Sequence, residues 1–159
     1  MRKMASHDNE VYSSDVFRVL AEYEISRSTR YPTPLGLLHI EMSPTAINED
    51  ALRLASSIFI SSLNAHLRSV DITAADEHGF KILLPATNLT GTETVCERLL
   101  SIFKNKFDTD FGSIVFSLHI GASSHGGGPS LSSAGLFQNA EDALKQSKLK
   151  GTNTYVLIS

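Results

Sequence analysis

The sequence predicts an α+β domain with a ferredoxin-like βαββαβ core: a central antiparallel sheet flanked by helices, with an extra N-terminal helix and a C-terminal helix-strand unit. Three observations carry this. Segments of helical and strand periodicity follow one another as helix, strand, helix, hairpin, helix, strand, helix, strand. Only the polar turn Asp76-Glu77-His78-Gly79 separates the two middle strands, so they pair as a hairpin. A chain of 159 residues, 42% of them hydrophobic, fits one domain with a sizeable core.

Residues 1–12 are polar and aperiodic and read as a flexible leader; residues 13–159 form the single domain. Ser13 or Ser14 caps a first helix whose N-terminal charge, Asp15, suits the helix dipole. Its expected inner stripe is Val16, Val19, Leu20 and Tyr23, and it stops before Tyr31-Pro32-Thr33-Pro34. Leu35 to Met42 is a buried strand that Pro44 ends. Asn48 to Arg68 is an amphipathic helix with Leu52, Ala55, Phe59, Leu63 and Leu67 inward. Val70 to Ala74 and Phe80 to Leu84 are the hairpin strands, with Gly79 supplying the turn geometry. Thr90 or Thr92 starts a third helix with Val95, Leu99, Ile102 and Phe103 inward, and Cys96 packs there as a small apolar residue. Ser113 to Gly121 alternates Ile114, Phe116, Leu118 and Ile120 on one face, as a strand does. Ser124 to Ser133 is a Gly/Ser connector without a Walker ending. A fourth helix, Leu136 to Leu149, stops at Gly151, and Thr154 to Ile158 is a last strand.

Composition narrows the function. Fourteen Lys and Arg against 17 Asp and Glu give a net charge of −3, too mild for an obligatory nucleic-acid or membrane partner. No apolar run approaches the roughly 20 residues that span a bilayer. A single cysteine excludes an intrachain disulfide framework and a Cys-rich zinc site. A cytoplasmic domain is expected. The six histidines are the unusual count.

Several stretches together resemble the GGDEF family, the diguanylate cyclase domains that make cyclic di-GMP from GTP. Glu24, Arg27, Arg30-Tyr31 and Pro34-Leu35 resemble the family's lead-in to its first strand. Ala140-Glu141-Asp142-Ala143-Leu144 through Lys148-Leu149-Lys150-Gly151-Thr152-Asn153 resembles its closing segment. His119-Ile120-Gly121 stands at its Ser-Ile-Gly, and Asp71 followed by a hairpin ending in Phe80-Lys81-Ile82-Leu83-Leu84-Pro85 matches the strands that carry its signature. The resemblance covers about residues 15–158 and implies a sheet of the GGDEF/nucleotidyl-cyclase type.

The same alignment implies lost chemistry. The signature positions read Asp76-Glu77-His78-Gly79-Phe80: Asp-Glu replaces Gly-Gly, His78 replaces the catalytic acid, and the hairpin is one residue short. The first-strand acidic pair reads His39-Ile40-Glu41, and the following Phe-Lys reads Ser43-Pro44. The guanine-recognising stretch is largely deleted, leaving Asn48 and Glu49. Mg²⁺ prefers carboxylate oxygens, so imidazoles at its ligand positions remove the charge that holds it. Lys148 matches the family's phosphate-contacting lysine; without that pocket it reads as a cation at a helix C-terminus. No catalytic residues, no metal and no cofactor are therefore expected.

Two features survive. Arg68-Ser69-Val70-Asp71 matches the Arg-x-x-Asp site at which the family binds cyclic di-GMP, four residues before position 76. Arg presents a planar fork to guanine or phosphate, and Asp accepts from a guanine N–H. The same residues also read as a cation at a helix end paired with a strand carboxylate. His39, Glu41 and His78, with His119 on the neighbouring strand, are donors of the kind transition metals accept, but no His/Cys motif spacing accompanies them. The reading is a catalytically inactive bacterial GGDEF-like signalling domain: a regulatory or protein-interaction module, with cyclic di-GMP as its candidate ligand through Arg68 and Asp71. A residual diguanylate cyclase or GTP-binding domain and a purely structural homodimerisation module are the alternatives.

Overall fold

The computed structural model of the chain describes residues 11–159. The expected leader falls mostly outside them, but its last residue is held: Tyr12 pairs in parallel with Ala74, its N–H donating to Thr73 O at 2.8 Å.

Among the described residues four helices, the second of them in two pieces, and six strands make up the fold. They are α1 (Ser14–Arg30), β1 (Leu35–Ala46), a second helix in two pieces, α2a (Glu49–Arg53) and α2b (Ala55–His66), then β2 (Ile72–Asp76) and β3 (Gly79–Pro85). They continue as α3 (Leu89–Phe103), β4 (Phe107–Thr109), β5 (Gly112–His125), α4 (Ser133–Lys150) and β6 (Thr154–Ile158). The core strands order as β2-β3-β1-β5, the ferredoxin-like order, and every neighbouring pair is antiparallel. Beyond β5, β4 pairs its first residues antiparallel and β6 pairs His119 to Ser123 in parallel.

Side-chain alternation along β1 and β5 divides the core in two. Leu38, Ile40, Ile114, Phe116, Leu118 and Ile120 face α2b and α3, where Phe59, Leu63, Leu99 and Phe103 complete one cluster. Phe59 is its centre, with its ring centroid 4.4 Å from Phe103, 4.9 Å from Phe80 and 5.4 Å from Phe116. Leu35, Leu37 and Leu83 face the other way, against Phe17, Ala21 and Ile25 of α1 and Leu136 and Ala140 of α4. Cys96 is buried in the first cluster, as its helix position implies.

Several expectations are corrected. The inner stripe of α1 is Phe17, Ala21, Ile25 and Ser28, while Val19 and Tyr23 are 68% and 69% exposed. Both stripes have helical spacing; the larger Phe17 ring and the small Ala21 fit against the sheet. Pro44 does not end β1, which runs on to Ala46. Beyond Ile40, β1 pairs only with β5, so a residue lacking an N–H is tolerated on the side with no partner strand. The helix after Asn48 breaks at Leu54, and Ala51 rather than Leu52 is buried. Asn88 caps α3, two residues before Thr90 and four before Thr92, the starts expected. Ser124 and His125 extend β5 instead of opening the connector. β4, which the sequence pattern did not mark, pairs across the two-residue turn Asp110-Phe111 with Gly112 at φ 130°.

Candidate functional site

Odd-numbered β1 residues continue the face that carries Leu35 and Leu37, so His39 and Glu41 also point toward α4. There α4 and the β2–β3 turn flank a cleft of about 530 Å³. Its walls include His39 and Glu41 of β1, Glu77, His78 and Lys81 of the hairpin, and Phe137, Glu141, Leu144, Lys145 and Lys148 of α4. The structure therefore gathers the predicted positions 39, 41, 77 and 78 into one place. Two glycines set its shape. A Cβ on Gly121 would lie 2.1 Å from Leu144 N, so only glycine lets the α4 backbone rest on β5. Gly79, at φ 120°, approaches β1 so closely that a Cβ would stand 2.3 Å from Ile40 O.

Each lysine in the cleft is answered by a carboxylate. Lys148 Nζ makes an ion pair with Glu41 Oε2, so this lysine reaches across to β1 instead of serving only as a helix-end cation. Lys81 lies 3.4 Å from Asp76 Oδ2 and Lys145 lies 3.9 Å from Glu141 Oε1. Burial opposes ionisation of Asp76, but the His78 N–H, donating to Oδ1 at 2.7 Å, and the Lys81 ammonium outweigh it and hold the carboxyl below its usual range. His39 is flanked in register by Lys81 and Gly121; burial first, and the Lys81 charge second, lower its pKa. It is therefore neutral at pH 7. Its Nε2 is buried without a hydrogen-bond partner. Glu41 stands opposite His119, whose Nδ1 is likewise buried and unpartnered. His78 is exposed on the turn, 3.4 Å from Glu77.

Mg²⁺, which the cyclase reaction requires, does not fit these residues. Position 39 offers a neutral imidazole, position 78 an exposed one, and the Glu41 carboxylate is already paired with an ammonium. Among the described residues no three His, Cys, Asp or Glu side chains are assembled for a metal.

Asn48 and Glu49, expected as what is left of the guanine-recognising stretch, are engaged locally. Asn48 caps α2a, accepting from Ala51 N–H at 2.8 Å, and donates Nδ2–H to Phe111 O at 2.8 Å. Glu49 is paired with Arg53 at the surface. Arg68 and Asp71 lie outside the cleft, at the α2b–β2 connection. Asp71 accepts from Arg68 N–H and from Arg68 Nη2, both at 2.8 Å. Arg68 Nη2 also donates to Pro85 O at 2.7 Å and to Thr87 Oγ1 at 2.8 Å. The Asp71 side chain is 2% exposed and that of Arg68 is 51%.

Sequence reasoning passed over Lys81, Phe137, Glu141 and Lys145. Lys81 had a signal: it alternates with Phe80 and Ile82 and so had to face away from their cluster. The α4 residues had none, because helical periodicity does not say which strand residues a helix crosses.

Among the described residues no helix is long and apolar enough to cross a membrane. No family model matches the chain, and no curated protein does. Solved structures do match. The GGDEF domain of YfiN (TpbB) from Pseudomonas aeruginosa is 17% identical with a TM-score of 0.75, over 96% of this chain and 92% of that one. The GGDEF domain of DgcB from Caulobacter crescentus, solved with c-di-GMP, is 13% identical with a TM-score of 0.71, over 99% and 96%. The diguanylate cyclase SiaD of Pseudomonas aeruginosa, solved with its activator SiaC, is 17% identical with a TM-score of 0.70; 93% of this chain matches 59% of that one. This chain has the GGDEF-domain fold.

Proposed function

We propose that this GGDEF-fold domain makes no cyclic di-GMP and acts in cytoplasmic bacterial signalling by contacting a protein partner. The observation that carries the reading is the Lys148–Glu41 ion pair beside the neutral His39. At the positions where the resemblance implies two acidic metal ligands, the chain holds an imidazole and a neutralised carboxylate. Phosphoryl transfer without its metal loses both the positioning and the charge stabilisation of the triphosphate. The deleted guanine stretch, with Asn48 spent on capping, removes the base contacts as well. A protein partner has a precedent in SiaD, a GGDEF-fold neighbour whose structure includes an activator protein.

A second reading, cyclic di-GMP reception at Arg68 and Asp71, draws support from the half-exposed Arg68 guanidinium and from the DgcB complex. Binding there requires the Asp71 carboxylate to exchange Arg68 for a guanine edge. Incubation with GTP and Mg²⁺, followed by chromatography, tests the first reading: no cyclic di-GMP is expected, and turnover overturns it. Calorimetry with cyclic di-GMP tests the second, which stands on micromolar binding lost in Arg68→Ala and falls if no heat is seen.

A further inference from the structure

We propose that His125 is a proton-sensitive latch: neutral, it holds the connector between β5 and α4 against the end of α1, and protonated, it lets the connector go. The latch operates whether or not the domain contacts a protein partner.

The hydrogen bonds fix the state of the ring. His125 is the last residue of β5, and Gly127 N–H donates to its Nδ1 at 2.9 Å. A backbone N–H can only donate, so Nδ1 carries no proton and the neutral ring keeps its proton on Nε2. Nε2 lies 3.1 Å from Ser130 Oγ, which accepts from it. One imidazole thus closes the connector on itself at two places. A second proton must go to Nδ1, where it sets one N–H against another and breaks the bond to Gly127.

That bond holds a close seat. Gly127 and Gly128 lie at φ 89° and 91°, which glycine alone adopts without strain. A Cβ on Gly127 would stand 2.5 Å from Thr33 O and 3.0 Å from Ser28 O, so the connector rests on the backbone between α1 and β1. Gly128 N–H donates to Ser28 O at 2.9 Å. Leu131 then enters the cluster that holds Phe17, Ala21 and Ile25, and Ser132 caps α4. The connector therefore ties the end of α1 and the start of α4 to one strand, and the glycine that meets α1 has no side chain of its own to keep it there.

The surrounding elements bring few charges to the ring. β1 sets Leu35 opposite His125, residues 126–132 carry no charged side chain, and the first turn of α4 has no acid. On α1, Arg27 is paired with Glu24, while Glu22 and Arg30 line a cavity of about 510 Å³ with Ser133. The two hydrogen bonds of the ring are thus the contacts that a proton rearranges.

NMR of the unaltered full chain tests the latch. At about pH 8, long-range nitrogen–proton correlations should place the His125 proton on Nε2. Between about pH 8 and about pH 5, where imidazoles ionise, amide exchange at Gly127 and Gly128 should accelerate at least about tenfold after correction for its intrinsic pH dependence. The amide of Gly151, bonded to Ser147 O, serves as the control and should not respond. His125→Asn separates the proton from the fold: its side-chain oxygen accepts from the N–H two residues on, as in an Asx turn, and does not titrate. In that variant both glycine amides should stay protected at either pH. In His125→Phe, which has no acceptor, both should exchange fast at either pH. A proton on Nδ1 at about pH 8, glycine amides indifferent to acid, or an acid response that persists in His125→Asn overturns the proposal.

Discussion

Asp71 is buried beneath Arg68, which donates to its carboxylate from both its own N–H and its guanidinium at 2.8 Å. Asp71 N–H returns a bond to Arg68 O at 3.0 Å, so the two residues close a turn on themselves. Through Pro85 O and Thr87 the same guanidinium ties that turn to the end of β3.

This staple should contribute to stability whether or not a ligand binds. Asp71→Ala leaves the Arg68 donors without their acceptor, and Arg68→Ala leaves a buried carboxylate with fewer bonds. Because Arg68 is half exposed, water screens part of the loss. Each substitution is expected to lower unfolding free energy by about 1–2 kcal/mol, with a coupling of about 1 kcal/mol in the double-mutant cycle. Urea denaturation measures both. Single variants within about 0.5 kcal/mol of the parent would show that the pair is ornamental to the fold.

Gly121 is the point where α4 meets the sheet, and the side-chain-free surface there also defines the cleft. A Cβ would stand 2.1 Å from Leu144 N and 2.4 Å from Ala140 O, both backbone atoms that cannot rotate away. Gly121→Ala must push α4 off β5 and break the Lys148–Glu41 contact with it. A loss of about 3 kcal/mol or more is expected, the upper range for overpacking. Thermal unfolding monitored by circular dichroism reads it; an unchanged midpoint would mean that α4 does not seat as described.

How much of this was legible beforehand depended on whether a local pattern had one solution. β6 and the stop of α4 at Gly151 were legible because strand alternation and a C-terminal glycine admit little else. The face of α1 was not: Val16-Val19-Leu20-Tyr23 and Phe17-Ala21-Ile25 are both helical stripes, and only the shape of the sheet chooses between them. Pro44 misled because its meaning depends on whether a neighbouring strand reaches that far. For the site, the resemblance put His39, Glu41 and His78 on one frame, and all three line the cleft. It could not reveal that Lys148 pairs with Glu41, since an ion pair between a helix end and a strand leaves no mark in either segment alone.

Phe59 should be the residue whose truncation costs most in the larger cluster. It is fully buried and its ring meets three other phenylalanines. Phe59→Ala removes those contacts and leaves a cavity that rigid strands on one side cannot fill. An unfolding free-energy loss of about 3–5 kcal/mol is expected, against about 1 kcal/mol for Phe59→Leu. Denaturant midpoints of the two variants check the ratio; near-equal losses would place the ring at the periphery of the cluster.

Cys96 gives the domain an alkaline limit. The side chain is fully buried, and burial first, then the Glu93 and Glu97 charges, push its thiol up to about 12. In the unfolded chain a thiol ionises near about 8.5. Between those values the unfolded state loses a proton that the folded state keeps, so stability is complete below about pH 8.5 and declines as pH rises above it. Tyr155, whose phenol burial and then the Glu97 and Glu93 charges raise, adds to that slope only as pH reaches the unfolded phenol's range near about 10, which leaves the lower part of the window to the thiol. Unfolding free energy at pH 9.5 should fall about 1 kcal/mol below its value at pH 7.5, and Cys96→Ala should remove most of that slope while costing some packing. The folded protein should also resist thiol reagents at pH 8 until denaturant exposes the helix. Rapid labelling of the native protein, or an alkaline slope unchanged in Cys96→Ala, would show that the thiol is reached without unfolding.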